Sequence, residues 1–229
     1  CDSAHDLWTH LCRLADKYAP AGAEVDERML RRDLQGSVDV DRSPALTEAW
    51  GLLDSLGDRL DRRTRRLLAA GGGGLILPRS RACEDLVTAL NTGDPLIVTG
   101  PPDVGKSALT LSVLDVLAKE RGAEATCLNL RDLPATTAEL EHLLGSTLAE
   151  VFGATSVAQR RMLLIDGGEA VLEGRRRLLQ DIAAAAIDAG LQLVVVTRGD
   201  ALAAVDQTID EIAPKAEADS GRRHDVPAL

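Results

Sequence analysis

Aromatic side chains are nearly absent: one Phe, one Tyr and two Trp make up 2% of the 229 residues. The core must therefore be filled with Leu, Val, Ile and Ala. Long apolar runs are absent too. No stretch approaches the ~20 residues that a helix needs to cross a bilayer, and no basic start followed by an apolar stretch marks a secretory leader. A cytoplasmic chain with no membrane partner is the expectation. The four cysteines, Cys1, Cys12, Cys83 and Cys127, are scattered. They form no CxxC pair and have no His at metal spacing, so reduced thiols are expected. Basic charge is in deficit: 26 Lys and Arg against 36 Asp and Glu leave a net charge of −10. That balance argues against nucleic acid or an anionic membrane as a partner of the whole chain. An initiator Met is missing as well. The chain starts at Cys1 and reads as a piece of a longer one.

The remaining composition, 45% hydrophobic and 27% charged, is ordinary for a globular protein of one or two domains. Residues 1–72 read as helical. Leu7, Leu11, Leu14 and Tyr18 share one helical face, closed at Pro20–Gly22. Asp26 is placed to cap a short helix carrying Met29, Leu30 and Leu34. Ser43 and Pro44 open a long helix with Leu46, Trp50, Leu53, Leu60 and Leu67 in register. Its polar side holds Arg59, Arg62, Arg63, Arg65 and Arg66. These suit either a nucleic-acid contact or a solvated face laced with Asp58 and Asp61, and the solvated face is the preferred reading. Gly71–Gly74 then breaks the chain, since four consecutive glycines are too costly in backbone entropy for a helix interior. A flexible joint is expected there.

Beyond the joint, strand and helix alternate. Apolar segments fall at Leu75–Leu77, Leu96–Thr99, Ala125–Leu130, Met162–Ile165 and Leu191–Val196. Helical segments fall at Ala82–Asn91, Ala108–Lys119, from the capping pair Thr136 and Glu139 to Phe152, at Glu173–Ala189 and at Ala201–Ile212. Strands apolar on both faces between amphipathic helices specify an α/β fold with a parallel sheet covered on both sides. Lys215–Arg223 is polar and reads as mobile, and Val226–Leu229 reads as the start of a further strand.

One stretch concentrates the chemistry: Gly100-Pro101-Pro102-Asp103-Val104-Gly105-Lys106-Ser107, followed by Ala108. It matches the phosphate-loop pattern GxxxxGK[ST] between a short β-rich run and a helix. In such a loop backbone N–H groups turn inward around a phosphate, Lys106 adds a point charge, and the Ser107 hydroxyl can ligate Mg²⁺. The positive end of the helix dipole points at the same anion. About sixty residues on, Met162-Leu-Leu-Ile-Asp166 is an apolar strand ending in an acid, placed to hold hydrated Mg²⁺. A strand-end turn is the alternative for Asp166. Glu169 lies in reach of the same pocket, as a base for the attacking water or as a solvated loop carboxylate. Thr197 and Arg198 end the last apolar strand, where the planar Arg fork suits phosphate oxygens. A local pairing of Arg198 with Asp200 is the alternative.

In that order and spacing, the three motifs resemble the STAND class of signal-transduction ATPases. These are relatives of the AAA+ proteins and include the NB-ARC and NACHT switches. The resemblance covers about residues 75–229. It implies a P-loop NTPase three-layer sandwich at 73–229, preceded by the helical region 1–72 as adaptor or spacer. It also implies Gly100–Ser107 as Walker A, Asp166 as the Walker B metal residue, Glu169 as the second acid, and Thr197 with Arg198 as sensor 1. ATP or ADP with Mg²⁺ is the implied cofactor set. The implied activity is an ATP-controlled switch with slow hydrolysis and with protein partners or self-association. A fast remodelling ATPase and a non-catalytic nucleotide-binding scaffold are the alternatives. The lid or winged-helix segment of the class lies beyond this chain. Asp103 departs from the family pattern, standing where related loops often carry Gly. Asp tolerates left-handed backbone better than most residues, but its charge opposes that of a phosphate.

Overall fold

The computed structural model describes residues 2–19, 46–69, 80–154, 158, 160–214 and 222–226. The Gly71–Gly74 joint, the Leu75–Leu77 segment, the Asp26 helix, the Ser43–Pro44 cap and residues 215–221 lie outside them. Two helices come first, α1 (Asp2–Tyr18) and α2 (Thr47–Ala69), then α3 (Ser80–Leu90). The α/β part runs β1 (Leu96–Thr99), α4 (Lys106–Arg121), β2 (Ala123–Asn129), α5 (Thr137–Leu144), α6 (Leu148–Gly153) and β3 (Arg160–Asp166). It continues through α7 (Arg176–Asp188), β4 (Gln192–Val196), α8 (Leu202–Asp210) and β5 (Arg223–Asp225).

The five strands form one all-parallel sheet in the order β2-β3-β4-β1-β5. β4 is thus inserted between the loop-bearing strand β1 and the acid-bearing strand β3. The carboxyl ends of these three strands therefore lie side by side, which is where ligands bind in open α/β sheets. Parallel strands need helical crossovers, and those helices must cover both faces. One face packs Ile97, Leu128, Leu163, Ile165, Leu193 and Val195 against α5, α6, α7 and α8. The other packs Leu96, Val98, Met162, Leu164, Val194 and Val196 against α3 and α4. The result is a three-layer α/β sandwich of P-loop NTPase type. Among the described residues no helix is long and apolar enough to cross a membrane.

α2 joins both layers. Trp50, Leu53 and Leu56 belong to the first core, and Leu60, one turn on, belongs to the second. The helix therefore crosses β2, an edge strand of the sheet, and covers a row of backbone groups that would otherwise invite pairing. Gly57 makes the approach close: a Cβ there would sit 3.1 Å from the Cys127 carbonyl oxygen. Burial in this layer pushes the Cys127 thiol up to about 12, which leaves it unreactive.

Several sequence expectations are corrected. The helix expected from Thr136 to Phe152 is two helices. Gly145 adopts a left-handed conformation (φ 68°), and Thr147 with Glu150 forms a second capping box after that of Thr136 with Glu139. The expected start of the helix at Glu173 is a 3-10 turn, Gly168–Glu173, with α7 beginning at Arg176. Along α4, Leu111 and Leu114 are buried and Val116 is exposed. The strand expected at Val226–Leu229 falls, beyond Val226, outside the described residues; a strand not expected from the sequence lies at Arg223–Asp225, with no apolar residue. Its entry is held by buried Arg222, whose guanidinium donates to Asp210 and to the Ala213 carbonyl. Tertiary ion pairing, not strand propensity, secures this edge.

Because α2 seals both cores, Leu53→Ala is expected to destabilise the whole sandwich by about 2–5 kcal/mol in urea unfolding. A change within ~0.5 kcal/mol, the range of surface substitutions, would make α2 an appendage.

Candidate functional site

The loop from Gly100 to Ser107 connects buried β1 to the first turn of α4. Three of its residues have positive φ: Gly100 (144°), Asp103 (59°) and Gly105 (79°). A side chain at Gly100 is also excluded by space, because its Cβ would lie 2.5 Å from the Val226 carbonyl oxygen. The loop is thereby pressed onto the end of β5, whose extension donates Val226 N–H to the Thr99 carbonyl at 2.8 Å. Asp103 adopts the left-handed geometry that its residue type tolerates, and it is exposed. Pro101 and Pro102 are exposed, Val104 packs partly on the second core, and Ala108 is half-buried in the first helical turn.

α4 has Gly105 at its N-cap and no side chain capping its first turn, whereas Thr136 and Thr147 cap α5 and α6 completely. Its leading N–H groups have no side-chain acceptor, and the positive end of its dipole faces the loop. Lys106 is buried and donates from Nζ to the Gly100 and Pro101 carbonyls at 3.1 and 2.6 Å, inside its own loop. Burial lowers its pKa, and the negative charges of Glu169, Asp166 and Asp103 work against that shift.

Ser107 meets Asp166 across 59 residues of chain: Ser107 Oγ donates to Asp166 Oδ1 at 2.8 Å. Burial raises the Asp166 pKa, and the Ser107 hydroxyl and the Gly167 N–H pull it back down. A hydroxyl and a carboxylate oxygen suit Mg²⁺, which keeps much of its water shell and takes few protein ligands. Among the described residues no group of three or more His, Cys, Asp or Glu could cage a metal by itself. The pair of donors present, the Ser107 hydroxyl and the Asp166 carboxylate, would fit a Mg²⁺ that takes its other ligands from phosphate and water.

After Asp166, Gly167 is left-handed (φ 73°), and a Cβ on Gly168 would meet Val195 Cγ1 at 2.9 Å and Thr197 Cβ at 3.0 Å. The two glycines fold the chain tightly over the end of β4 and so present Glu169. Its side chain is only 11% exposed and accepts from Arg131 Nη1 at 2.8 Å. Arg131 also donates to both carboxylate oxygens of Glu173, at 3.1 and 2.5 Å. That bond holds Glu173 below the usual carboxylate range.

Thr197 is buried, and its hydroxyl has no hydrogen-bond partner; the Thr99 hydroxyl at the end of β1 is in the same condition. Arg198 points its fork at Asp200, with Nε to Oδ1 at 3.1 Å and Nη2 to Oδ2 at 2.9 Å. Both lie in a cleft of about 500 Å³ that also takes in Thr99, Gly100, Pro101 and Asp225.

Sequence reasoning missed Asn129, Arg131 and Asp225. Asn129 closes β2 and brings Nδ2 to 3.4 Å from Asp166 Oδ2. It is the last residue of β2, but it falls inside the segment read from sequence as Ala125–Leu130, so its place at a strand end was not marked. Arg131 carried no signal either, since its role depends on two carboxylates about forty residues away in the chain.

No family model matches the chain, and no curated protein does. Among solved structures, a chain of the Drosophila ORC bound to poly(dA/dT) DNA and Cdc6 is similar in fold. The TM-score is 0.37 at 15% identity, over 82% of this chain and 34% of that one. The chain thus spans about a third of that neighbour's length. The expectation that nucleic acid is no partner is corrected at this point. That structure is of a DNA-bound complex, and net charge, a sum over the whole chain, does not decide what a local surface binds. The exclusion is withdrawn, and no nucleic-acid role replaces it.

Asp166→Asn is expected to spare metal-free nucleotide binding and to remove the added affinity that Mg²⁺ supplies, because Asn keeps the shape and loses the charge. Titrating ATP with and without Mg²⁺ measures this. Unchanged Mg²⁺ dependence would make Asp166 a structural residue.

Proposed function

We propose that the chain is the nucleotide-binding part of an ATP-controlled switch of the STAND class, with slow hydrolysis to ADP and phosphate. The observation that carries this reading is the meeting of Ser107 with Asp166 beside Lys106, at the uncapped start of α4. A pattern match in the loop alone is a weak signal. An acid from β3, delivered to the loop serine over 59 residues, supports the reading by a tertiary contact independent of the pattern.

In this reading the loop N–H groups and the first turn of α4 bind the phosphates. Lys106 exchanges its bonds to the Gly100 and Pro101 carbonyls for phosphate oxygens. Ser107 and Asp166 would hold Mg²⁺, which would supply positive charge at the terminal phosphates. Thr197 supplies an unsatisfied hydroxyl beneath the same crevice, and Arg198 reads the third phosphate. Glu169 orients the attacking water and accepts its proton. We carry the division into a helical region, residues 1–72, and an ATPase core, residues 73–229, as part of the proposal, with α2 as the connection between them.

Slow turnover, as opposed to fast remodelling, is favoured by the state of Glu169. Its carboxylate is engaged by Arg131 at 2.8 Å, and it must leave that bond before it can orient a water.

Lys106→Ala should abolish ATP binding or weaken it severely with the fold intact, read by titration calorimetry alongside thermal unfolding. Unchanged affinity at unchanged stability would remove the phosphate-loop assignment. ATP loss by the wild-type chain should be slow and near stoichiometric, and fast multiple turnover would favour the remodelling alternative.

Arg131→Ala should raise the single-turnover hydrolysis rate by freeing Glu169, with ATP affinity little changed. A rate that falls instead would make Arg131 a part of the catalytic arrangement.

A further inference from the structure

Arg198 is the residue to which the switch reading assigns the third phosphate, yet its guanidinium is already occupied. Nε and Nη2, the two donors of one edge of the fork, both go to Asp200. The partner is built in locally. A 3-10 turn, Gly199–Ala201, starts directly after Arg198, and Ala201 N–H donates back to the Arg198 carbonyl at 3.1 Å. This turn sets Asp200 two residues from Arg198 and facing its fork. The pair stands at the loop: both residues border the cleft that Thr99, Gly100 and Pro101 also line. The Arg198 charge also reaches Lys106, whose pKa it helps to lower.

We propose that Asp200 is a positioning residue that competes with the third phosphate for the Arg198 fork, and so sets how strongly the site prefers ATP to ADP. This rests on the nucleotide-site reading above. A planar fork edge serves one pair of acceptor oxygens at a time. With two phosphates bound, nothing recruits the fork and it stays on Asp200. With three, the terminal phosphate offers more charge than a carboxylate, and the fork turns to it. Asp200 gives way because the pair is open to water, with side chains 42% and 59% exposed. Exposed pairs are weak and easily exchanged. Asp200 therefore holds ATP preference down by a modest factor, and a signal that removes Asp200 from the fork would raise it.

The test is calorimetric titration of a non-hydrolysable ATP analogue and of ADP, both with Mg²⁺. The proteins are the wild-type chain, Asp200→Asn, Arg198→Ala, the double variant and Lys106→Ala. Asp200→Asn should tighten the ATP analogue about two- to five-fold, the range of an exposed ion pair, with ADP unchanged. Arg198→Ala should weaken the analogue more than ADP, and the double variant should match Arg198→Ala, because the gain runs through the Arg fork. An unchanged ATP-to-ADP ratio in Asp200→Asn overturns the proposal. So does a gain that survives without Arg198, which would make Asp200 a diffuse repulsive charge. If Lys106→Ala also leaves both nucleotides bound as in wild type, the nucleotide-site reading itself fails, and this proposal falls with it. If Lys106→Ala removes binding while Asp200→Asn changes nothing, only the competition is refuted.

Discussion

The structure depends on one constraint: β1 must be buried on both faces while its last residue opens into a loop that reaches solvent. Leu96, Ile97, Val98 and Thr99 are each at most 2% exposed, with β4 on one side and β5 on the other. Such a strand has no freedom to shift. Its carboxyl end is therefore a fixed point from which backbone N–H groups can be aimed, and a preorganised donor array gains most when it cannot relax. Gly100, without a Cβ, lets the loop rest on Val226. The turn into α4 then follows from Gly105, and it delivers Lys106 and Ser107 together.

From that fixed point the order of the strands does the rest. Inserting β4 between β1 and β3 brings Thr197 beside the end of β1, where its N–H donates to the Val98 carbonyl at 2.9 Å, and β3 presents Asp166 to Ser107. The charges around the site are kept in check by pairing. Glu169 and Glu173 share Arg131, and Asp200 holds Arg198. Two cations and three carboxylates are thus mutually engaged around a loop whose lysine bonds its own carbonyls. Each of these bonds can be exchanged for a phosphate or for water. Under the proposed function, this arrangement suits a device that changes state when a ligand arrives.

The covering of the sheet is equally physical. A parallel sheet in a chain this poor in aromatics is filled by branched aliphatics, which pack well in strands. One edge of the sheet is closed by α2, a helix that lies before the glycine run. The other is closed by a three-residue strand tied down by Arg222 with Asp210 and Arg223 with Asp206. Neither edge relies on strand propensity.

By itself, the sequence determined what is local. The period of the apolar residues set the alternation of strands and helices, and double-sided apolar runs required a parallel sheet. Fixed spacing put Gly100, Gly105, Lys106 and Ser107 in one turn between a strand and a helix, because loop closure is a short-range matter. The end of an apolar strand marked Asp166 and Thr197 for the same reason. What only the tertiary structure decided are the partners. Arg131 with Glu169, Asn129 with Asp166, α2 across the β2 edge, and an all-polar strand at Arg223–Asp225 depend on contacts between residues far apart in the chain. The placement of Arg198 is an intermediate case. Its partner Asp200 is two residues away and was legible as an alternative, but its position beside the phosphate loop exists only because β4 lies next to β1.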